Sequence, residues 1–259
     1  MIHTSQFWKV HFENNLMKQR IDWSKGPSIS NVEKNKVLYS LKAWQLGETS
    51  DGKHLLAAAN KYSGTTQDKV YPKAVELFIK EEQKHGNNLG RYIDLIGEKR
   101  AKQDWGDTLF RKIRYFNTSM EIWTIAVIIV ESAAQIFYQA LKEATDCNLL
   151  KSICNDILID EAHHIKFQNE RLYILFQKKR FYFKVISVLL YSAFFFCVIH
   201  AIWFGHKKAL KAGNVTFKLF MEKMFGKFFK TMVFVYSGQK EQFVSNEQIR
   251  VSEQVYLRS

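Results

Sequence analysis

Proline and cysteine are both scarce in this chain of 259 residues, which contains two prolines and three cysteines. Because proline interrupts helices more strongly than any other residue, its scarcity and the long periodic apolar runs predict one largely helical domain. The cysteines, Cys147, Cys154 and Cys197, are odd in number and form no Cys-x-x-Cys motif. We therefore expect neither a disulfide scaffold nor a zinc site, and the cysteine usage favours a reducing cytosol.

The first twenty residues contain no apolar run of the kind that forms the core of a secretory signal. Between Met1 and Arg20, apolar residues alternate with His, Lys, Glu and Asn. Together with the cysteine usage, this pattern predicts a cytoplasmic protein. Residues 1–30 are rich in aromatic side chains and end near Gly26 and Pro27, so we expect an N-terminal lead-in before the main domain.

Acidic residues are nearly absent from one part of the chain, which has a net charge of +13 overall. Between Lys178 and Lys230 there are eleven Lys and Arg residues and a single acidic residue, Glu222. This distribution predicts a basic, aromatic-rich helical extension over residues 179–234, followed by a polar tail over residues 235–259.

The extension also contains an apolar run of 20 residues, Val185 to Phe204, in which the clearly polar members are Ser187, Ser192 and His200. That length just reaches a membrane span, but an interfacial helix or a helix packed across a bundle would have a similar composition. Two alternatives therefore stay open for residues 181–234. In the first, these residues associate with an anionic membrane surface. In the second, they cover the bundle and present a basic surface to an acidic protein such as an acyl carrier or a reductase.

Amphipathic periodicity predicts four long helices in the middle of the chain. Their expected ranges are residues 31–62, 70–97, 122–144 and 149–178. A turn at 63–66 separates the first two, and a charged crossover at 98–117 precedes the third, whose start is indicated by the capping-box spacing of Thr118 and Glu121. Two antiparallel hairpins joined by a long crossover predict an all-α four-helix bundle over residues 31–178.

Two Glu-x-x-His pairs lie midway along the second and fourth predicted helices, Glu82 with His85 and Glu161 with His164. Residues three apart share one face of a helix, so each pair can direct a carboxylate and an imidazole at one metal ion. Either pair alone would be weak evidence. The register adds to it, because Glu48 and Glu82 are each 17 residues from Thr65 in the first turn.

In the second hairpin, Glu131 and Glu161 are each 15 residues from the connecting Asp146. At about 1.5 Å per residue, the two members of each couple lie level across their helix pair. One Glu-x-x-His pair from each of two helices, with one Glu from each of the other two, is the ligand arrangement of four-helix di-iron proteins.

This set of residues resembles the ferritin-like, non-haem di-iron carboxylate superfamily, which includes ferritins, rubrerythrins, ribonucleotide reductase small subunits and bacterial hydroxylases. The resemblance covers about residues 31–178 and implies a ferritin-like bundle with two iron ions, or manganese, or a mixed Mn/Fe pair. It implies that the metal ligands are Glu48, Glu82, His85, Glu131, Glu161 and His164. It also implies that Asp160, directly before Glu161, is an acid that orients a ligand histidine. Glu81 occupies the matching position directly before Glu82 and has the same expected role.

Several neighbouring residues offer other interpretations. Asp51-x-x-His54 competes with Glu48 for the ligand position, and the flanking Gly47 and Gly52 are expected to relieve crowding near the site. The sequence of segment 47–54 nearly matches the motif of a phosphate-binding loop. His54 occupies the position where that motif requires Ser or Thr, so we expect no nucleotide-binding residue there. Candidate redox or gating tyrosines are Tyr138 and Tyr92, with Tyr39 nearby, although packing in the core is the alternative role for each.

The resemblance implies a di-iron oxidase or oxygenase that activates dioxygen to oxidise an organic, lipophilic substrate. Since no Cys-x-x-Cys pair is present, a built-in rubredoxin module is excluded and an external electron donor is expected. A ferroxidase-type or non-catalytic iron-binding protein associated with membranes is the alternative. A tRNA hydroxylase is a further alternative, since the basic surface would attract phosphate, but the apolar run argues against a nucleic-acid partner.

Overall fold

A computed structural model describes residues 2–115 and 119–238, which form nine α-helices within those ranges. The helices are α1 (Ser5–Leu16), α2 (Asn31–Glu48), α3 (Lys53–Thr66), α4 (Tyr71–Leu95), α5 (Trp105–Tyr115), α6 (Met120–Glu143), α7 (Asn148–Gln177), α8 (Phe181–Ala212) and α9 (Phe217–Ser237). The part of the chain that the structure describes contains no β-strand.

Helices α2, α4, α6 and α7 form the bundle, in which α6 packs along α7, α2 packs along α4, and α4 contacts α7. Their apolar stripes meet in a fully buried core. Representative core residues from the four helices are Leu41, Leu89, Ile128, Tyr138 and Ile157. The expected second, third and fourth bundle helices agree with α4, α6 and α7 to within three residues at each end.

The first predicted helix, 31–62, is wrong as a single element, because the chain breaks after Glu48 and restarts as α3. Gly52 has a φ of 63°, a left-handed conformation that glycine adopts without the strain of a Cβ. A Cβ at Gly52 would also lie 2.6 Å from Ile79 of α4. The predicted turn at 63–66 is wrong as well, since α3 continues to Thr66 and the turn follows at Gln67, where φ is 62°.

The crossover between the hairpins is not entirely irregular, because it contains α5, whose position was not predicted. Thr118, half of the expected capping box, lies outside the described residues, and Ser119 is the residue that precedes α6. Of the expected polar tail, residues 235–237 belong to the end of α9, whereas 239–259 lie outside the described residues.

The expected lead-in at residues 1–30 contains a helix of the packed structure. Helix α1 lies along α4 and buries one stripe of its surface, Ser5, Trp8, Phe12 and Asn15. Trp8 and Phe12 join a second apolar cluster together with Phe78 and Phe167. The N-terminal segment therefore packs on the bundle as an additional helix. It places the buried Asn15 against the interior of the bundle.

The extension forms two helices that pack on the bundle, α8 against α6 and α2, and α9 against α7. By length and composition, α6 and α8 are both apolar enough to cross a membrane, which is weak evidence for a span. The apolar window of α6 is 78% buried and that of α8 is 28% buried. Helix α6 is thus a core helix, whereas α8 is covered on one side and open on the other.

Candidate metal centre

The bundle helices bring all six predicted ligands together near the middle of the bundle. Glu48 is the last residue of α2, Glu131 lies on α6, and the two Glu-x-x-His pairs lie on α4 and α7. One group that could hold a metal ion consists of Glu48, Glu82, His85 and Glu161, and the second consists of Glu82, Glu131, Glu161 and His164. Within each group, the ligand atoms all lie within 4.8 Å of one another.

The two groups share Glu82 and Glu161, so two metal ions bound there would have these carboxylates in common. Each group then keeps one carboxylate and one imidazole of its own: Glu48 with His85, and Glu131 with His164. His85, Glu161 and His164 have fully buried side chains. Each group could therefore offer one metal ion mixed oxygen and nitrogen ligands.

The hydrogen bonding of the site fits a metal-binding role. Nδ1 of His85 and both carboxylate oxygens of Glu161 are buried and form no hydrogen bond. Nδ1 of His164 lies 2.7 Å from Oε1 of Glu82, the distance of an ion pair, so these two atoms are each other's partners. Buried polar atoms without partners are costly. A pair of metal ions would satisfy these atoms.

The other nitrogen of each predicted ligand histidine contacts an acid from the opposite helix. Nε2 of His85 lies 3.1 Å from Oδ2 of Asp160, and Nε2 of His164 lies 2.8 Å from Oε2 of Glu81. Each acid precedes a Glu-x-x-His motif and contacts the histidine of the other motif. Such a contact has the imidazole donate through Nε2 and leaves Nδ1 as the nitrogen that faces the carboxylate group.

An asparagine from α1 joins the two acids, a connection that sequence reasoning missed. Nδ2 of Asn15 donates to Oε1 of Glu81 and to Oδ1 of Asp160, both at 2.7 Å. Arg20 donates to Asp160 at 2.9 Å, to Asp156 at 2.6 Å, and to the side-chain oxygen of Asn15. The signal in the sequence was a polar residue at the end of the apolar stripe of α1, with no indication of its partners.

Burial and mutual repulsion perturb the protonation of the site. Burial, followed by the charge of a neighbouring carboxylate, raises the pKa of Glu48 and of Glu131 well above the usual range. Burial alone would raise the pKa of Glu82, but the nearby His164 and His85 outweigh it and lower that pKa to about 2. Although burial lowers the pKa of His164, the surrounding carboxylates outweigh this effect and raise it well above its ordinary value.

These shifts predict that metal binding releases protons. The raised pKa values of Glu48, Glu131 and His164 favour the protonated form of each group in the metal-free chain. A metal ion must displace those protons, so its apparent affinity should rise as pH rises and weaken as pH falls. Anaerobic calorimetric titrations with Fe(II) in two buffers of different protonation enthalpy measure the release. Equal heats in both buffers, with an affinity that does not depend on pH, would contradict this protonation pattern.

The three tyrosines lie in different surroundings. The hydroxyl of Tyr138 donates to Oε1 of Glu48 at 2.7 Å, and burial raises the pKa of Tyr138 well above its usual value. Tyr92 is buried against Sγ of Cys147, at 3.5 Å, away from the carboxylate groups. Tyr39 is 52% exposed and donates to Asp104. Of the candidate redox or gating residues, the structure brings only Tyr138 to a predicted ligand.

The alternative ligand pair, Asp51 and His54, lies outside both carboxylate and histidine groups. Both residues are exposed, and Oδ1 of Asp51 accepts a hydrogen bond from the backbone of Lys53 at the start of α3. The segment 47–54 is the end of α2, a short connection and the start of α3. No strand precedes it in the part of the chain that the structure describes.

The close packing beside Glu48 depends on Gly86 and not on Gly47. A Cβ at Gly86 would lie 3.1 Å from the backbone carbon of Glu48 and 2.7 Å from Thr49, whereas a Cβ at Gly47 would meet nothing within 4 Å. The expectation that Gly47 relieves crowding is therefore wrong, while Gly52 is indeed closely packed. Gly86 follows the predicted ligand His85 directly and permits the approach of α2 to α4.

We expect Gly86→Ala to displace Glu48 and to weaken the metal ion held by Glu48 and His85 more than the other. The added methyl group must move the backbone of α2, since the contact is with main-chain carbon. Gly47→Ala on the exposed side of the same turn is the matched control and should bind both ions normally. Metal content after dialysis measures the effect, and full content in Gly86→Ala would show that the backbone spacing is not critical.

An apolar cavity of about 290 Å³ opens beside the metal groups. Glu48, Glu82 and Glu131 form one part of its wall. Most of the other lining side chains are apolar, among them Trp44, Phe78, Val127, Phe194 and Ile202. The side chain of Glu82 is 18% exposed, in contrast to the fully buried Glu161. The cavity therefore reaches the carboxylates between α2, α6 and α8, with residues of α3, α4 and α5 also in its wall.

A solved structure has the same fold. The chain aligns with a mutant of an R2-like ligand-binding oxidase that has an anaerobically reconstituted Mn/Fe cofactor, with a TM-score of 0.59 and 15% sequence identity. The alignment covers 88% of this chain and 92% of that chain. At this identity the likeness shows the fold alone, and it confirms the expected ferritin-like helical bundle. No protein-family model and no curated protein matches the sequence.

Proposed function

We propose that this chain is a dioxygen-activating oxidase with a two-metal cofactor that oxidises a lipophilic organic substrate. The observation that carries the proposal is the position of the two carboxylate and histidine groups, which share Glu82 and Glu161 and border an apolar cavity. A storage or purely structural site needs no apolar chamber beside it. Apolar cavities with a few polar groups at one end are typical of sites for small organic ligands.

Iron is the metal that the donor set favours, with manganese or a mixed Mn/Fe pair as the other choices. Carboxylates and imidazoles together suit iron that reacts with dioxygen, and the structural neighbour carries a Mn/Fe cofactor. When bound, the two metal ions would supply the binding and reduction of dioxygen. An oxygenation also consumes two electrons beyond those that the substrate provides. With no Cys-x-x-Cys module in the sequence, these electrons require an external donor.

The side chains of the protein have separate tasks in this proposal. Asp160 and Glu81 hold the two ligand histidines in one orientation, and Asn15 fixes both acids. The hydroxyl of Tyr138 donates to Oε1 of Glu48 and so holds a proton beside the ligand group. The apolar part of the lining would position a hydrocarbon portion of the substrate near the carboxylates.

The test is a single turnover of the Fe(II)-loaded protein with isotopically labelled dioxygen, a chemical reductant and a total lipid extract. Mass spectrometry should detect a lipid that has gained labelled oxygen or lost two hydrogen atoms. Oxidation of iron without any organic product would instead favour the ferroxidase-type alternative. Salt-sensitive binding of tRNA, with a hydroxylated nucleoside as the product, would favour the nucleic-acid alternative.

We expect Ala201→Phe to reduce the yield of organic product without slowing the oxidation of bound iron. Ala201 lines the cavity from α8, so a phenyl ring there would fill space that the substrate needs. Ala193→Phe is the matched control, because Ala193 is exposed on the same helix and does not line the cavity. Product yield and the rate of iron oxidation are measured in parallel. An unchanged product yield in Ala201→Phe would show that the substrate does not bind in the cavity.

A further inference from the structure

Helix α8 has an apolar face that no other part of the described chain covers. Its inner side is buried against the bundle and α9 through Tyr191, Phe195, Ile199 and Trp203. Its outer side carries large apolar side chains at helical spacing. These are Tyr182 (79% exposed), Ile186 (50%), Leu189 (65%), Leu190 (64%), Phe196 (53%) and Phe204 (62%). We call these six residues the outer stripe.

An exposed apolar stripe of this length is unusual for a soluble monomer. From Tyr182 to Phe204 the helix advances by about 33 Å at ~1.5 Å per residue. Near the beginning of α8, Phe181 and Phe183 are also 71% and 60% exposed. A surface of this kind normally meets a protein or a membrane.

The charges at both ends of the outer stripe identify the partner. The exposed Lys178 and Arg180 lie at its beginning, and the exposed Lys207 and Lys208 lie just beyond its end. Between residues 178 and 230 the sequence has a single acidic residue, Glu222 on α9. Basic residues that flank an apolar face favour an interface with anionic lipid headgroups.

A second copy of the chain fits this surface less well than a membrane does. Both ends of the outer stripe are basic, so two copies that met through α8 would bring like charges together in either orientation. A transmembrane position is also disfavoured, because the inner side of α8 is packed along α6 and α9, and the bundle would have to enter the bilayer with it. A helix that lies in the membrane surface satisfies both observations.

We propose that the outer stripe docks this protein on an anionic phospholipid bilayer, with α8 parallel to the membrane surface. The apolar side chains enter the headgroup and acyl boundary, and the lysines at both ends contact the headgroups. Docking would bring the cavity close to the bilayer, because Cys197 of α8 is exposed and also lines the cavity. A membrane lipid is then the substrate class. This last consequence rests on the proposed oxidase function, whereas the docking does not.

Flotation of the metal-free full-length protein with phosphatidylglycerol vesicles tests the docking separately from any oxidase activity. We expect binding to these vesicles at low salt, weaker binding at high salt, and little binding to phosphatidylcholine vesicles. Leu189→Asn with Leu190→Asn should weaken partitioning about tenfold or more, because two exposed apolar side chains no longer enter the membrane. Lys207→Glu with Lys208→Glu should weaken it by a similar factor.

The matched control is Val32→Asn with Lys36→Glu, which changes an exposed apolar residue and an exposed lysine on α2, and it should bind like the unchanged chain. The proposal is overturned by any of four results. These are no flotation with phosphatidylglycerol vesicles, equal flotation with phosphatidylcholine vesicles, stripe variants that bind like the control, and a dimer in solution that the leucine variant dissociates. The last result would assign the outer stripe to a second copy.

Discussion

Replacing Glu161 by glutamine is expected to lower the metal content from two ions per chain to almost none. Glu161 belongs to both ligand groups, so its loss weakens both sites at once, and a neutral amide bridges two cations poorly. Glu131→Ala or His164→Ala should remove one ion preferentially, because each residue belongs to one group. Metal analysis of the purified, dialysed variants measures the difference.

The control for this experiment is Glu170→Gln on the same helix. Glu170 is buried and accepts a hydrogen bond from Nε1 of Trp8 at 2.7 Å, but it belongs to neither ligand group. The Glu170→Gln variant should have a lower free energy of unfolding and still bind two metal ions per chain. If Glu161→Gln retains both ions while it remains folded, Glu161 is not a shared ligand.

Asp160→Asn is expected to keep the fold and most of the metal while slowing dioxygen consumption by about 10- to 100-fold, the usual cost of removing an acid that orients a metal ligand. The effect should arise through His85, whose Nε2 lies 3.1 Å from Asp160. Glu81→Gln should act in the same way through His164. Rates of oxygen uptake with a chemical reductant, together with the visible spectrum of the oxidised iron protein, report the change.

Asp156→Asn provides a control with the same chemistry one turn earlier on α7. Asp156 is buried and bound to Arg20 at 2.6 Å, but it contacts neither ligand histidine. Its rate should change much less than that of Asp160→Asn. Equal losses in the two variants would mean that Asp160 acts through Arg20 and general stability, and not through His85.

The sequence was sufficient for three of the four bundle helices and for the register of Glu131 and Glu161. The equal spacing of Glu48 and Glu82 from residue 65 is not the reason why they meet, because α2 ends at Glu48 and α3 follows it. Long apolar periodicity located α4, α6 and α7, and the equal spacing of Glu131 and Glu161 from one turn placed them level, as found. Such features are local, or follow from the fixed rise of a helix. For the same reason, the two Glu-x-x-His pairs could be assigned to one centre before any tertiary contact was known.

Features that depend on packing between distant parts of the chain could not be predicted. The contacts of Asn15 with Glu81 and Asp160 join residues far apart in sequence, and no local pattern encodes them. The break near Gly52 was missed because a glycine inside a periodic stretch costs only about 1 kcal/mol in a helix, so periodicity outweighed it. Its positive φ and its contact with Ile79 become visible only in the folded chain.

The tyrosines illustrate the same limit. Tyr92 and Tyr138 both lie on inward faces of bundle helices, and helical position alone made them equivalent candidates. In the fold, Tyr138 reaches Glu48, whereas Tyr92 reaches Cys147 near the end of the bundle. Which of two buried hydroxyl groups meets the ligand group depends on the height of each along its helix.

The most direct test of the two-metal centre is an anomalous difference map from crystals of the full-length protein grown with iron. We predict two adjacent peaks at the iron absorption edge. One should lie among Glu48, Glu82, His85 and Glu161, and the other among Glu82, Glu131, Glu161 and His164. A single peak, no peak, or a peak held by Asp51 and His54 would contradict the account.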